Sequence, residues 1–135
     1  MAQVKEFYAE GLAKFRSRDY DSARHYFDRA LGLEPSNVDI LVSRGRLPTY
    51  EQGIPDCLAA IAIDPTCADA WALLGYLHWH LQRPNEAIRC CSEAIRLDGR
   101  QSWALFTRLK AHAQVGNWQD CLRDTIGLIR MLIKI

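Results

Sequence analysis

Two histidines flank a tryptophan at His78, Trp79 and His80, and two cysteines stand side by side ten residues later, at Cys90 and Cys91. Imidazoles and thiols ligate zinc and act as bases or nucleophiles, so metal binding and covalent catalysis are the first chemistries to weigh. Residues two apart on a helix point to different faces, so His78 and His80 share a metal only if further ligands arrive from afar. No C-x-x-C pair accompanies the cysteines. Cys57, Cys91 and Cys121 fall at apolar positions of a helical pattern, where a free thiol acts as a small hydrophobe. The chain contains no G-x-S-x-G, no phosphate-binding glycine loop and no H-E-x-x-H. The sequence therefore predicts packing roles for these residues, with no catalytic site, no metal site and no cofactor.

The elements that position them belong to an ordinary globular composition. The 135 residues are 49% hydrophobic and 24% charged, enough apolar material for one domain with its own core. Seventeen Lys and Arg against sixteen Asp and Glu leave a formal charge of +1, which gives no field for nucleic acid or an anionic membrane. Five cysteines are an odd number, and the start shows no charged, apolar, small-residue signal pattern, so a reducing, cytoplasmic setting is expected. No apolar run approaches the roughly 18 residues of a membrane span.

The chain repeats itself. Phe7, Gly11, Tyr20, Ala23, Phe27 and Ala30 each stand 64 residues before Trp71, Gly75, Pro84, Ala87, Cys91 and Ala94. Tyr50, Gly53, Cys57 and Ala60 stand 34 before Pro84, Ala87, Cys91 and Ala94, and a weaker copy follows 34 later at Trp118, Cys121, Thr125 and Leu128. Each copy carries one apolar stripe at helical spacing, a polar turn ("RSRDY", "LQRPN", "VGNWQ") and a second stripe, which is a helical hairpin. At least seven helices and no strand are expected. Ala23, Ala30, Ala60, Ala87 and Ala94 should be buried, because small residues let helix backbones approach. Pro35 and Pro65 stop helices, and Ser36 or Asn37 can cap the next one. In the second copy four residues are missing between Gly45 and Tyr50, about one helical turn, so its first helix should end early. The shortening is either a tolerated deletion at an exposed helix end or a notch that admits a ligand or bends the superhelix.

Set out in this way, "WALLGYLH" followed by "AIRCCSEA" resembles the tetratricopeptide repeat, with its W-x2-L-G-x2-Y, A-x3-F and closing proline at a period of 34. The match covers about 4–37, 38–67, 68–101 and 102–135, so residues 1–135 read as one domain. His78 stands where the motif prefers Tyr and Gly99 where it prefers Pro. The resemblance implies an all-α, right-handed α-solenoid of four helix-turn-helix hairpins, with the first helix of each lining a concave groove. It further implies a non-enzymatic adaptor or scaffold that grips a peptide or helix of a partner protein.

By that resemblance the groove carries Tyr8, Leu12 and Arg16 from the first repeat, Val42 and Arg46 from the second, Tyr76 and His80 from the third, and Trp103, Phe106 and Lys110 from the fourth. Such an aromatic, basic-rimmed surface suits protein binding, although Trp103 and Phe106 can equally pack between the last two repeats. Family members that clamp a chaperone's C-terminal carboxylate use Lys, Asn and Arg on these helices; the matching places here hold Tyr8, Leu12, Ser43, Asp69 and Leu73, which supply no cation. The final stretch "DTIGLIRMLIKI" crowds apolar side chains around one helix, and Ile129, Leu132, Ile133 and Ile135 make a second candidate interface, through which the chain would join a homo-oligomer or a larger assembly.

Overall fold

The structure, a computed structural model, describes residues 2–133, and among these every regular element is a helix. In chain order they are α1 Ala2–Arg16, α2 Tyr20–Leu33, α3 Val38–Gly45, α4 Tyr50–Ile63, α5 Ala68–His80, α6 Pro84–Leu97, α7 Ser102–Gln114 and α8 Trp118–Leu132. They form four antiparallel pairs that coincide with the four sequence copies. Backbone contacts divide the chain after Pro65 into two compact units of two hairpins each. No helix among the described residues is long and apolar enough to cross a membrane.

Local chemistry fixes the ends of the helices. Asp19, Asn37 and Asn117 each accept a hydrogen bond from a backbone N–H of the first turn that follows, at the starts of α2, α3 and α8. Pro84 opens α6, where its fixed φ and missing N–H cost nothing. The α1–α2, α5–α6 and α7–α8 turns each place one residue in left-handed conformation at matching positions: Arg18 (φ 63°), Gln82 (φ 61°) and Gly116 (φ 78°). The corresponding position of the second hairpin is Pro48. Proline cannot adopt positive φ, so this hairpin must turn differently. It does so by stopping α3 at Gly45 after eight residues, as the missing turn in the sequence predicts.

Both units pack by pairing small residues with large ones. Ala23, Ala30, Ala60, Ala87 and Ala94 are all fully buried, as expected from the repeat register. Gly11 lies against the ring of Phe27, close enough that a Cβ would stand 2.5 Å from Phe27 Cε1. Gly75, the residue 64 later, lies in the same way on Cys91 and the α6 backbone. Ala72, Cys91, Ala94 and Ala104 form a core in the second unit, flanked by Trp71, Ile95 and Trp103.

One polar device recurs. Arg44 of α3 grips Asp56 of α4 through Nε (2.9 Å) and Nη2 (2.6 Å), and its Nη1 donates to Asp28 of α2 at 2.8 Å. Arg108 of α7 grips Asp124 of α8 through Nε (2.7 Å) and Nη2 (2.5 Å), and its Nη1 donates to Ser92 of α6 at 3.0 Å. Each arginine thus ties its own hairpin to the preceding second helix, with a bidentate pair inside and a third bond outward. Hydrogen bonding to Asp56 holds the Arg44 guanidinium more firmly protonated than usual, against the opposing effect of burial. In the third repeat the matching positions are Leu74 and Cys90, both buried, so an apolar pair fills the same space.

Candidate functional site

In the second unit, α5 and α7 lie side by side and bring together every predicted groove residue of the last two repeats. The Tyr76 ring stands 4.9 Å from Trp103 and 4.4 Å from His80, and His80 is 5.0 Å from Trp79. Lys110 reaches from α7 over two rings: its Nζ lies 3.9 Å from the centre of Trp79 and 4.6 Å from that of Phe106. Phe106 is half exposed, and Tyr76, Trp79, His80, Trp103 and Lys110 are each partly buried, so the cluster forms a surface rather than a core. A cation over an aromatic face is attracted by the ring quadrupole, which orders the lysine stem and presents its charge among apolar walls. Burial lowers the pKa of Lys110, and burial together with the nearby Lys110 charge lowers that of His80. At neutral pH the patch therefore carries one ammonium beside a neutral imidazole.

Trp79 was given no role by the sequence pattern. It lies 31 residues from the lysine it contacts, on another helix, and only the α5–α7 packing makes them neighbours. His78 takes a different face of α5 from His80, as the two-residue spacing requires. No group of three or more His, Cys, Asp or Glu able to hold a metal is found among the described residues. Burial pushes the Cys90 thiol up to about 11 and that of Cys91 to about 12, which suits packing.

The first unit is organised differently. The Tyr8 hydroxyl lies 2.8 Å from Ser43 Oγ, and Ser43 gives its single proton to the carbonyl of Asp39, so the tyrosine donates. A cleft of about 390 Å³ opens beside this bond, walled by Val4, Lys5, Tyr8, Asn37 and Asp39. Leu12 is partly buried, and Arg16 and Arg46 are exposed at the ends of α1 and α3. Val42 corrects the sequence reading, for it is 6% exposed and belongs to the core instead of an open groove. The shortened α3 retains mainly residues that face α2 and α4, and five of its eight are buried. The positions matching the carboxylate clamp are equally unsuited to an anion. Tyr8 and Ser43 satisfy each other, Leu73 is buried, and Asp69 accepts from the Gln101 amide at 2.6 Å.

At the far end of the second unit, α8 exposes Trp118 (67%), Leu122, Ile126, Ile129, Leu132 (79%) and Ile133 on adjoining faces. Ile129, Leu132 and Ile133 of the predicted second interface are thus exposed, while Ile135 lies outside the described residues. The position of Ile129 in the preceding repeat is Ile95, which packs into the core beside Trp103 of the next helix.

Antiparallel hairpins of this period, with small residues buried on the second helices of the first three, define a class of helical repeat protein. Two family models confirm it, each described as tetratricopeptide repeat, matching residues 68–100 and 8–47, together more than half of the chain. The chain belongs to the tetratricopeptide repeat family. Among curated proteins it is 24% identical over 102 residues to the small glutamine-rich tetratricopeptide repeat-containing protein 2 of Saccharomyces cerevisiae, covering 73% of this chain and 30% of that protein. To the STIP1 homolog of Dictyostelium discoideum it is 30% identical over 100 residues, covering 71% and 18% respectively. The chain thus spans less than a third of these relatives. Among solved structures, MamA superposes with a TM-score of 0.84 at 20% identity, covering 96% of this chain and 73% of that one. The first tetratricopeptide domain of Spaghetti (RPAP3), bound to the HSP90 peptide SRMEEVD, superposes at 0.80 with 19% identity, covering 85% and 94%.

Proposed function

We propose that this chain is a protein-interaction module, serving as an adaptor or scaffold, that binds an extended or helical segment of a partner protein on the α5–α7 face. The observation that carries the reading is the continuous patch of Tyr76, Trp79, His80, Trp103, Phe106 and Lys110, drawn from two neighbouring first helices and open to solvent. Rigid aromatic side chains lose little conformational entropy on binding and dominate interface energetics. A related domain holds a peptide of HSP90, which supports peptide recognition as the activity, although the clamp positions of this chain argue against a chaperone tail as its ligand. The thiols of Cys67, Cys90, Cys91 and Cys121 are free, which fits a reducing, intracellular setting.

The test is selection from a random-sequence peptide display library on wild-type protein and on Tyr76→Ala. Wild type should retain a family of related peptides. Tyr76→Ala should bind the best of them at least about fivefold more weakly, roughly 1 kcal/mol, while keeping a cooperative thermal transition. Retention of the same peptides by both proteins would remove the α5–α7 patch from consideration.

A second reading rests on α8. Its exposed stripe occupies the face that carries Ile95 in the preceding repeat. A contiguous apolar face of this extent marks an interface, either with a second copy or within a larger assembly.

A further inference from the structure

Lys110 is a cation held between aromatic rings. Its ammonium rests on Trp79 and Phe106, and no carboxylate among the described residues comes within ion-pair distance of it. Neighbouring carboxylates are engaged elsewhere. α7 contains no acidic residue, Asp69 of α5 lies in the first turn and holds Gln101, and Asp124 of α8 is gripped at both oxygens by Arg108. Partial burial has taken part of the ammonium's water, as its lowered pKa reflects, and two ring faces replace that water only in part. An anion arriving here would complete a charge-assisted hydrogen bond between apolar walls, where such a bond is stronger than in open water.

Resting on the peptide-binding reading above, we infer that the α5–α7 patch recognises an internal acidic side chain of its partner. An aspartate or glutamate meets Lys110 Nζ, and the apolar residues on either side of it lie on Tyr76, Trp103 and Phe106. One ammonium beside a neutral imidazole matches one monoanionic carboxylate better than a dianionic phosphate group. Single-stranded nucleic acid, which also stacks on aromatic residues, needs a groove of several cations along its backbone, and this face offers one. The site is distinct from a terminal carboxylate clamp, since its cation comes from the fourth repeat and its walls are aromatic.

The experiment uses the same display library on wild type, Lys110→Gln and Lys110→Arg, followed by titration of the best synthetic peptide using tryptophan fluorescence. Peptides retained by wild type should carry Asp or Glu at one fixed position, flanked by aromatic or aliphatic residues. Lys110→Arg should keep that preference, and Lys110→Gln should lose it. Changing the peptide's acidic residue to its amide should weaken binding roughly tenfold on wild type. On Lys110→Gln the same change should have almost no effect, because the two alterations remove one interaction. An acidic preference that survives Lys110→Gln, or additive losses in that cycle, would overturn the inference while leaving peptide binding intact. Failure of wild type to retain any peptide family would overturn the underlying reading as well. Quenching by a uridine decamer, with none by the peptide, would assign the patch to single-stranded nucleic acid instead.

Discussion

Replacing Gly75 by alanine tests the seam on which the α5–α7 face is built. In an exposed helix interior the change stabilises, by about 1 kcal/mol, because glycine has more backbone freedom to lose on folding. At Gly75 the added methyl collides with Cys91 Sγ and stands 3.2 Å from both the Ala87 carbonyl oxygen and the Cys91 backbone nitrogen. The sulfur is fully buried and cannot swing aside, and the other two atoms are helix backbone, so α5 and α6 must separate along a seam that is otherwise closed. Overpacking of this kind costs about 1–3 kcal/mol, and backbone neighbours place Gly75 near the upper end. Subtracting the propensity gain leaves a net loss of about 2 kcal/mol. Gly32 of α2 supplies the control, since a Cβ there meets nothing within 4 Å. Gly32→Ala should raise stability by about 0.5–1 kcal/mol. Urea denaturation followed by circular dichroism measures both. A double-mutant cycle with Cys91→Ala, which removes the sulfur but not the backbone atoms, should recover at least about 1 kcal/mol of coupling. If Gly75→Ala proves as stable as Gly32→Ala, the α5 and α6 backbones do not approach as closely as described, and the register of the whole second unit fails with them.

The paired arginines give a different expectation. Asp124→Ala strands Arg108, whose side chain is only 19% exposed, and should cost about 2–3 kcal/mol in a thermal melt, whereas Arg108→Leu with Asp124→Cys, which copies Leu74 and Cys90, should cost under about 1 kcal/mol; equal losses would deny that the two pairs are interchangeable. On α8, Leu122→Glu together with Ile129→Lys should leave the melting temperature nearly unchanged and reduce self-association in sedimentation velocity, if the stripe is an interface between copies. An unchanged sedimentation profile would refute self-association through this face.

Much of the fold was legible because it depends on spacing. The 64- and 34-residue offsets located four hairpins, the buried alanines and the early end of α3, each a consequence of which side chains fit against a neighbouring helix. The ion pairs were not legible from a fixed spacing: Arg44 and Asp56 are 12 apart, whereas Arg108 and Asp124 are 16 apart. The difference is the missing turn, so the two pairs align only after the repeats do. The site was partly legible. Tyr76, His80, Trp103, Phe106 and Lys110 fell on the expected helices, but the ring that fixes the lysine, Trp79, is brought to it by tertiary packing alone. Val42 failed for a local reason, since a helix cut to two turns keeps the residues that hold it in place and loses the turn that would have widened an open face.

The correspondence between the two units separates what the hairpins need from what they offer. Glycine against a second-helix side chain appears in both, at Gly11 and Gly75, as does an arginine bound to its own second helix and to the one before, at Arg44 and Arg108. These contacts hold helices at fixed distances, and changing either partner alone leaves a clash or an uncompensated charge. The positions that correspond to the aromatic patch differ instead. Tyr76, Trp79, His80, Phe106 and Lys110 are matched by Leu12, Phe15, Arg16, Val42 and Arg46. Where the second unit sets a lysine over two rings, the first has an exposed arginine at the end of a shortened helix and a buried valine in place of the phenylalanine. Except at Val42, which the shortened α3 draws into the core, the scaffold tolerates those exchanges because the positions lie outside its seams, and a surface free of that constraint is where two copies of one hairpin pair can come to prefer different partner segments.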